Sequence, residues 1–156
     1  MKLEIQGEAS QEALGGRLAS QLYPPMVVYL EGDLGTGKTT LTRGVLRGLG
    51  HSGSVRSPTY TLLEPYDLGF LHFYHLDLYR LGDPEELEYL GLRDLLGLDS
   101  VLFVEWPHKG GNGLPPSDLE IRLEYEGSGR SLDLVPFSPA GQELVRALAT
   151  TEGLSR

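Results

Sequence analysis

The chain has 156 residues, with 22 acidic side chains against 13 lysines and arginines for a formal net charge of -9, and no cysteine. That length suits one compact core, and the missing thiols exclude disulfides, thiolate metal sites and cysteine nucleophiles. The acidic field repels phosphate backbones and anionic lipid surfaces, so any role with nucleic acid is expected to be indirect.

The start, Met1-Lys2-Leu3-Glu4, has no apolar secretory core, and no run approaches the roughly 18 apolar residues of a membrane span; a cytoplasmic protein with no membrane contact is the expectation. Ser10 is placed to cap a first helix with the stripe Leu14, Leu18 and Leu22, stopped by Pro24-Pro25. Met26 to Glu31 reads as a buried strand. Beyond a glycine-rich loop, Leu41, Val45, Leu46 and Leu49 have helical spacing, with Gly50 at the terminus. Thr59 to Pro65 and Phe70 to Leu78 flank the turn-like Tyr66-Asp67-Leu68-Gly69 and predict a hairpin. Asp83-Pro84-Glu85-Glu86 opens a helix running to Leu96 with a break at Gly91. Val101 to Val104, closed by Glu105, has the character of a central strand. Leu119 to Tyr125 alternates, turns through Gly127-Ser128-Gly129 and returns past Leu132 and Leu134 as a second hairpin. A last helix follows Pro139. Residues 1–150 therefore read as one three-layer α/β domain of the P-loop NTPase type, with a mixed central sheet and antiparallel hairpins, and 151–156 as a flexible tail.

The segment Gly32-Asp33-Leu34-Gly35-Thr36-Gly37-Lys38-Thr39 matches the spacing of a phosphate-binding loop, and it lies between a strand and a helix as that motif requires. Gly32, Gly35 and Gly37 let successive N–H groups turn inward toward phosphate oxygens at the positive end of the next helix. Lys38 supplies a cation to the outer phosphates, Thr39 a hydroxyl to magnesium, and Thr40 a donor to the innermost phosphate. ATP and Mg2+ are the expected ligands, with Thr36 completing the loop.

Such a site also needs an acid near the metal and a group that aims the attacking oxygen. Asp77 and Glu105 each close an apolar strand pattern, so each can emerge at the carboxyl edge where ligands bind. Glu105 is assigned to the metal, and Asp77 to the water or the metal shell. Thr59, in Ser57-Pro58-Thr59-Tyr60, occupies a loop suited to a γ-phosphate switch or to a plain proline turn. His75 and His108 are expected to be packing or surface residues rather than proton carriers. Trp106 is read as core or as a partner anchor. Arg43, Arg56 and Arg80 are equal candidates to stabilise a transferring phosphate.

Five segments together resemble the TsaE (YjeE) family: residues 32–40, Ser-Pro-Thr-Tyr-Thr-Leu at 57–62, His-Leu-Asp-Leu-Tyr-Arg at 75–80, Asp-Pro-Glu-Glu-Leu at 83–87 and Val-Glu-Trp at 104–106. The resemblance implies an ATPase needed for threonylcarbamoyl modification of adenosine 37 in tRNAs that read ANN codons, slow by itself and working with the TsaD and TsaB proteins. It also implies Lys38 and Thr39 on phosphate and magnesium, Glu105 as the metal acid, Asp77 in the catalytic step and Thr59 as switch-like. Glu8 and Arg130 resemble peripheral nucleotide contacts. Family members often carry a second acid soon after the Glu-Trp pair, where this chain reads Pro107-His108, so no role is carried over for that acid. A small-molecule kinase using the same loop is the alternative. A GTP-dependent switch is disfavoured because no Asn-Lys-x-Asp segment occurs.

Overall fold

The computed structural model describes residues 1–58 and 62–151; the expected tail, apart from Thr151, lies outside them. Seven strands form one mixed sheet: β1 (Lys2–Ile5), β2 (Met26–Glu31), β3 (Leu63–Asp67), β4 (His72–Asp77), β5 (Ser100–Glu105), β6 (Leu119–Glu126) and β7 (Gly129–Pro136), in the order β1-β7-β6-β2-β5-β4-β3. The centre, β6, β2, β5 and β4, is parallel. Both edges are antiparallel.

Alternation along the central strands builds two cores. Val28 and Leu30 of β2, Phe73 of β4 and Val101 and Phe103 of β5 face α1 (Glu8–Ala19), α2 (Lys38–Gly48) and α5 (Pro139–Thr151). Tyr74, Leu76, Leu102 and Val104 pack the other way, against Leu87 of α3 (Glu86–Tyr89) and Leu92 of α4 (Leu92–Leu95). This is the expected three-layer α/β arrangement, and its parallel strands need cover on both faces.

Local differences from the sequence reading have physical causes. The strand β1 was not expected: four alternating residues carry too little pattern alone, and Leu3 and Ile5 gain their place only through pairing with β7. The first helix starts at Glu8, with Gly7 at φ 85° as its cap, so Ser10 lies inside it. The first hairpin turns two residues later than the composition suggests. Tyr66 is buried and pairs with Phe73, which extends the ladder to Asp67 and His72, and Gly69 at φ 85° makes the turn. The expected break at Gly91 is present, left-handed at φ 67°, and the helices on either side of it have four residues each. Gly50 ends α2 as expected, with the His51 amide bonded to Leu46 O and the Gly50 amide to Arg47 O, the paired bonds of a left-handed helix stop.

Glycines bring α1 and α2 to backbone contact. A Cβ on Gly44 would lie 2.1 Å from Glu12 O, and one on Gly15 2.5 Å from Leu41 O. Gly44→Ala gains about 1 kcal/mol of helix propensity but forces two backbones apart, at a cost near the top of the range of about 1–3 kcal/mol for overpacking. A net loss of about 2 kcal/mol is expected, read as a lower urea midpoint with an unchanged slope.

Candidate functional site

The parallel centre aligns three strand ends at one edge. In the register, Glu105 pairs with both Leu30 and Asp77, so the exit of β2 into the glycine loop, the end of β5 and the end of β4 lie side by side. Neighbours in register share a face, which directs Asp77 and Glu105 to the side of the sheet that α2 covers.

The loop is held by its carbonyls. Tyr125 donates its hydroxyl to Leu34 O at 2.9 Å, and Arg130 Nη2 donates to Gly35 O at 3.2 Å. Gln11 Nε2, reaching across from α1, donates to Thr36 O at 2.9 Å and Gly37 O at 2.8 Å. Thr36 Oγ1 donates to Asp33 O at 2.7 Å, and the Lys38 ammonium to Gly32 O. The Thr36 amide donates to Asp33 O at 3.3 Å, and a loop whose carbonyls are committed in this way can turn its other N–H groups to an anion. Two of its glycines are required: Gly37 by its left-handed backbone at φ 97°, and Gly32 because a Cβ there would lie 2.7 Å from the backbone Leu123 O.

Gln11 is only 4% exposed although it is polar. Gln11→Ala removes two bonds and leaves Thr36 O without that donor, whereas Gly37 O keeps the Leu41 amide. A loss of about 1–3 kcal/mol is expected, measurable by thermal unfolding.

Beside the loop is a cavity of about 480 Å³, lined by Gly35, Gly37, Lys38, Thr39 and Thr40 of the loop and helix, by Asp77 and Glu105 of the strand ends, and by Ser57, Arg80 and Trp106 among others. Lys38 Nζ lies 3.9 Å from the centre of the Trp106 ring, which stands out of regular structure at φ 59°. Burial pushes the Lys38 ammonium below its usual range, against the upward pull of Glu105, Asp77 and Asp33. Thr39 Oγ1 donates to Glu105 Oε2 at 3.3 Å. The Asp77 carboxylate accepts from Ser57 Oγ and from the Tyr79 amide at 3.0 Å.

The family model described as "Threonylcarbamoyl adenosine biosynthesis protein TsaE" matches residues 5–132. The chain belongs to the TsaE family. The TsaE match contains every residue that lines the cavity. Similar proteins include the tRNA threonylcarbamoyladenosine biosynthesis protein TsaE of Haemophilus influenzae, 48% identical over 124 residues that cover 80% of this chain and 78% of the relative. The Bacillus subtilis TsaE is 41% identical over 116 residues, 74% of this chain and 72% of the relative. A crystal structure of Bacillus subtilis YdiB superposes with a TM-score of 0.83 at 29% identity, covering 97% of this chain and 95% of that one.

Within this TsaE chain, Gly35, Gly37, Lys38, Thr39, Thr40, Asp77 and Glu105 line one cavity, whereas Gly32 and Thr36 face a separate one with Asp33 and Tyr125. Glu8 stands at the margin: it is exposed and paired at 2.8 Å with Arg43, whose Nη2 is also 3.4 Å from Thr40 Oγ1. Arg43 is further engaged by Glu12 at 3.3 Å, whereas Arg80 lines the cavity, so the three arginines that were equal in sequence are not equal in space. Arg130 stacks 4.3 Å from the Tyr125 ring and meets the loop through Gly35 O. Thr59 lies outside the described residues. His75 and Gln11 are the site neighbours whose part the sequence reading missed. Gln11 falls one turn before Leu14 on the buried stripe of α1, a polar residue at a core position, and that was the available signal. His75 alternates with Phe73 and Asp77 on the inward face of β4.

Proposed function

We propose that this chain binds ATP with magnesium in the cavity at the strand edge and hydrolyses it in support of threonylcarbamoyladenosine formation at position 37 of tRNAs that read ANN codons. The observation that carries this reading is the convergence of the loop, Lys38, Thr39 and two strand-end carboxylates on one cavity.

In this reading the loop amides at the start of α2 hold the phosphates through hydrogen bonds and the helix dipole, and Lys38 neutralises the outer phosphate charge. The donor chemistry fits magnesium, which takes oxygen ligands and keeps several waters: Thr39 Oγ1 and Glu105 Oε2 are neighbouring oxygens on the cavity wall. Thr39 and Glu105 would hold such an ion, and its positive charge would offset the negative charge of the phosphates. Asp77, held by Ser57 and the Tyr79 amide, is fixed to orient the attacking water. Arg80 can approach the transferred group from the cavity rim.

The chain acts as a subunit beside TsaD and TsaB, and meets tRNA only through them, consistent with its net charge of -9. Turnover is slow alone and rises when the partners complete the site. No described helix is long and apolar enough to cross a membrane, and the cytoplasm is the compartment proposed. Titration calorimetry with ATP and with GTP, each with magnesium, tests the nucleotide, and binding that favours GTP defeats the assignment. Hydrolysis measured with and without TsaB and TsaD tests the partnership; equal rates defeat that part alone.

A further inference from the structure

His75 is a polar ring placed where an apolar side chain would satisfy the pattern of β4. It is 0% exposed, on the same face as Phe73 and Asp77, and its Nε2 lies 2.6 Å from Glu105 Oε2. Its Nδ1 has no hydrogen-bond partner. A carboxylate only accepts, so the hydrogen of this contact is carried on Nε2 and directed at Glu105. The oxygen it meets is also the one that accepts from Thr39 Oγ1 at 3.3 Å.

We propose that His75 is a positioning residue: from beneath the site it donates Nε2–H to Glu105 Oε2, fixes that carboxylate beside Thr39, and so sets how strongly magnesium tightens nucleotide binding. The inference rests on the ATP and magnesium reading of the cavity. Without a donor below it, a strand-end carboxylate is free to change rotamer, and two oxygen donors no longer share one place. Outer partners of this kind typically change metal affinity about 10–100-fold when removed. A packing role alone would ask for volume at position 75 but not for a donor that reaches Glu105.

Two variants of like polarity separate the readings. The amide of His75→Gln extends to where Nε2 stands, and that of His75→Asn stops short near Nδ1. Affinity for a non-hydrolysable ATP analogue is measured by calorimetry across a magnesium titration and again in EDTA, with folding checked by thermal unfolding. His75→Asn is expected to need about 10–100-fold more magnesium for half its effect, with unchanged affinity in EDTA, while His75→Gln stays near wild type. Matching magnesium curves for the two variants overturn the proposal, and so does an equal loss of affinity with and without the ion. Wild-type protein that binds no ATP analogue overturns instead the nucleotide reading on which this rests.

Discussion

Lys38→Ala is expected to weaken ATP binding by about 10–150-fold, the equivalent of one charge-assisted contact worth about 1.5–3 kcal/mol, and to abolish measurable turnover. The side chain is 5% exposed and lies between Gly32 O, the Trp106 ring and the carboxylates of the site. Its removal takes away the cation at the centre of the cavity but leaves the two acids, so a polyanion would meet net repulsion. Burial lowers the pKa of this ammonium, so rising pH strips the charge from Lys38 sooner than from a solvated lysine. ATP affinity of the wild type should therefore fall toward alkaline pH, and the Lys38→Ala variant should lose that part of the dependence. Calorimetry across the pH range measures both, and an unchanged affinity in the variant would contradict the site assignment.

Glu105→Gln is expected to act on turnover more than on binding. The substitution keeps an oxygen for the Thr39 and His75 contacts but removes the charge that would face the proposed metal. A fall in kcat of about 100-fold or more is expected, measured as phosphate release at saturating magnesium in the presence of the partner proteins. At saturating magnesium, nucleotide affinity should change far less, because loop amides and Lys38 are untouched, although more magnesium is needed to reach it. The two variants thus separate two duties within one cavity: Lys38 for holding the phosphates, and Glu105, 3% exposed between Thr39 and His75, for what happens to them. Equal losses in binding from both would mean that the carboxylate serves only to hold the ligand.

Much of the architecture was legible because it depends on local patterns. The run Met26 to Glu31, the glycine loop and the stripe Leu41, Val45 and Leu46 each carry their own signal, as does the stop at Gly50. The same holds for the second hairpin, where turn residues sit between alternating strands. One short element was not legible: β1 has four residues and takes its identity from β7. The helical segment from Glu86 to Leu95 and its break at Gly91 were legible, because a proline-acid helix start and a glycine act through their own neighbours.

The sequence by itself determined the phosphate loop, since the spacing of Gly32, Gly37, Lys38 and Thr39 acts through covalent neighbours along a single strand, turn and helix. It also marked Asp77 and Glu105, as acids that end apolar runs. Only the tertiary structure decided that Gln11, Tyr125 and Arg130 hold the loop's carbonyls, that His75 Nε2 meets Glu105 Oε2, and that Arg80 rather than Arg43 borders the cavity. These contacts join residues far apart in the chain, and their distances are set by strand order, register and the close crossing of α1 on α2. None of those quantities is encoded in the neighbours of any one residue.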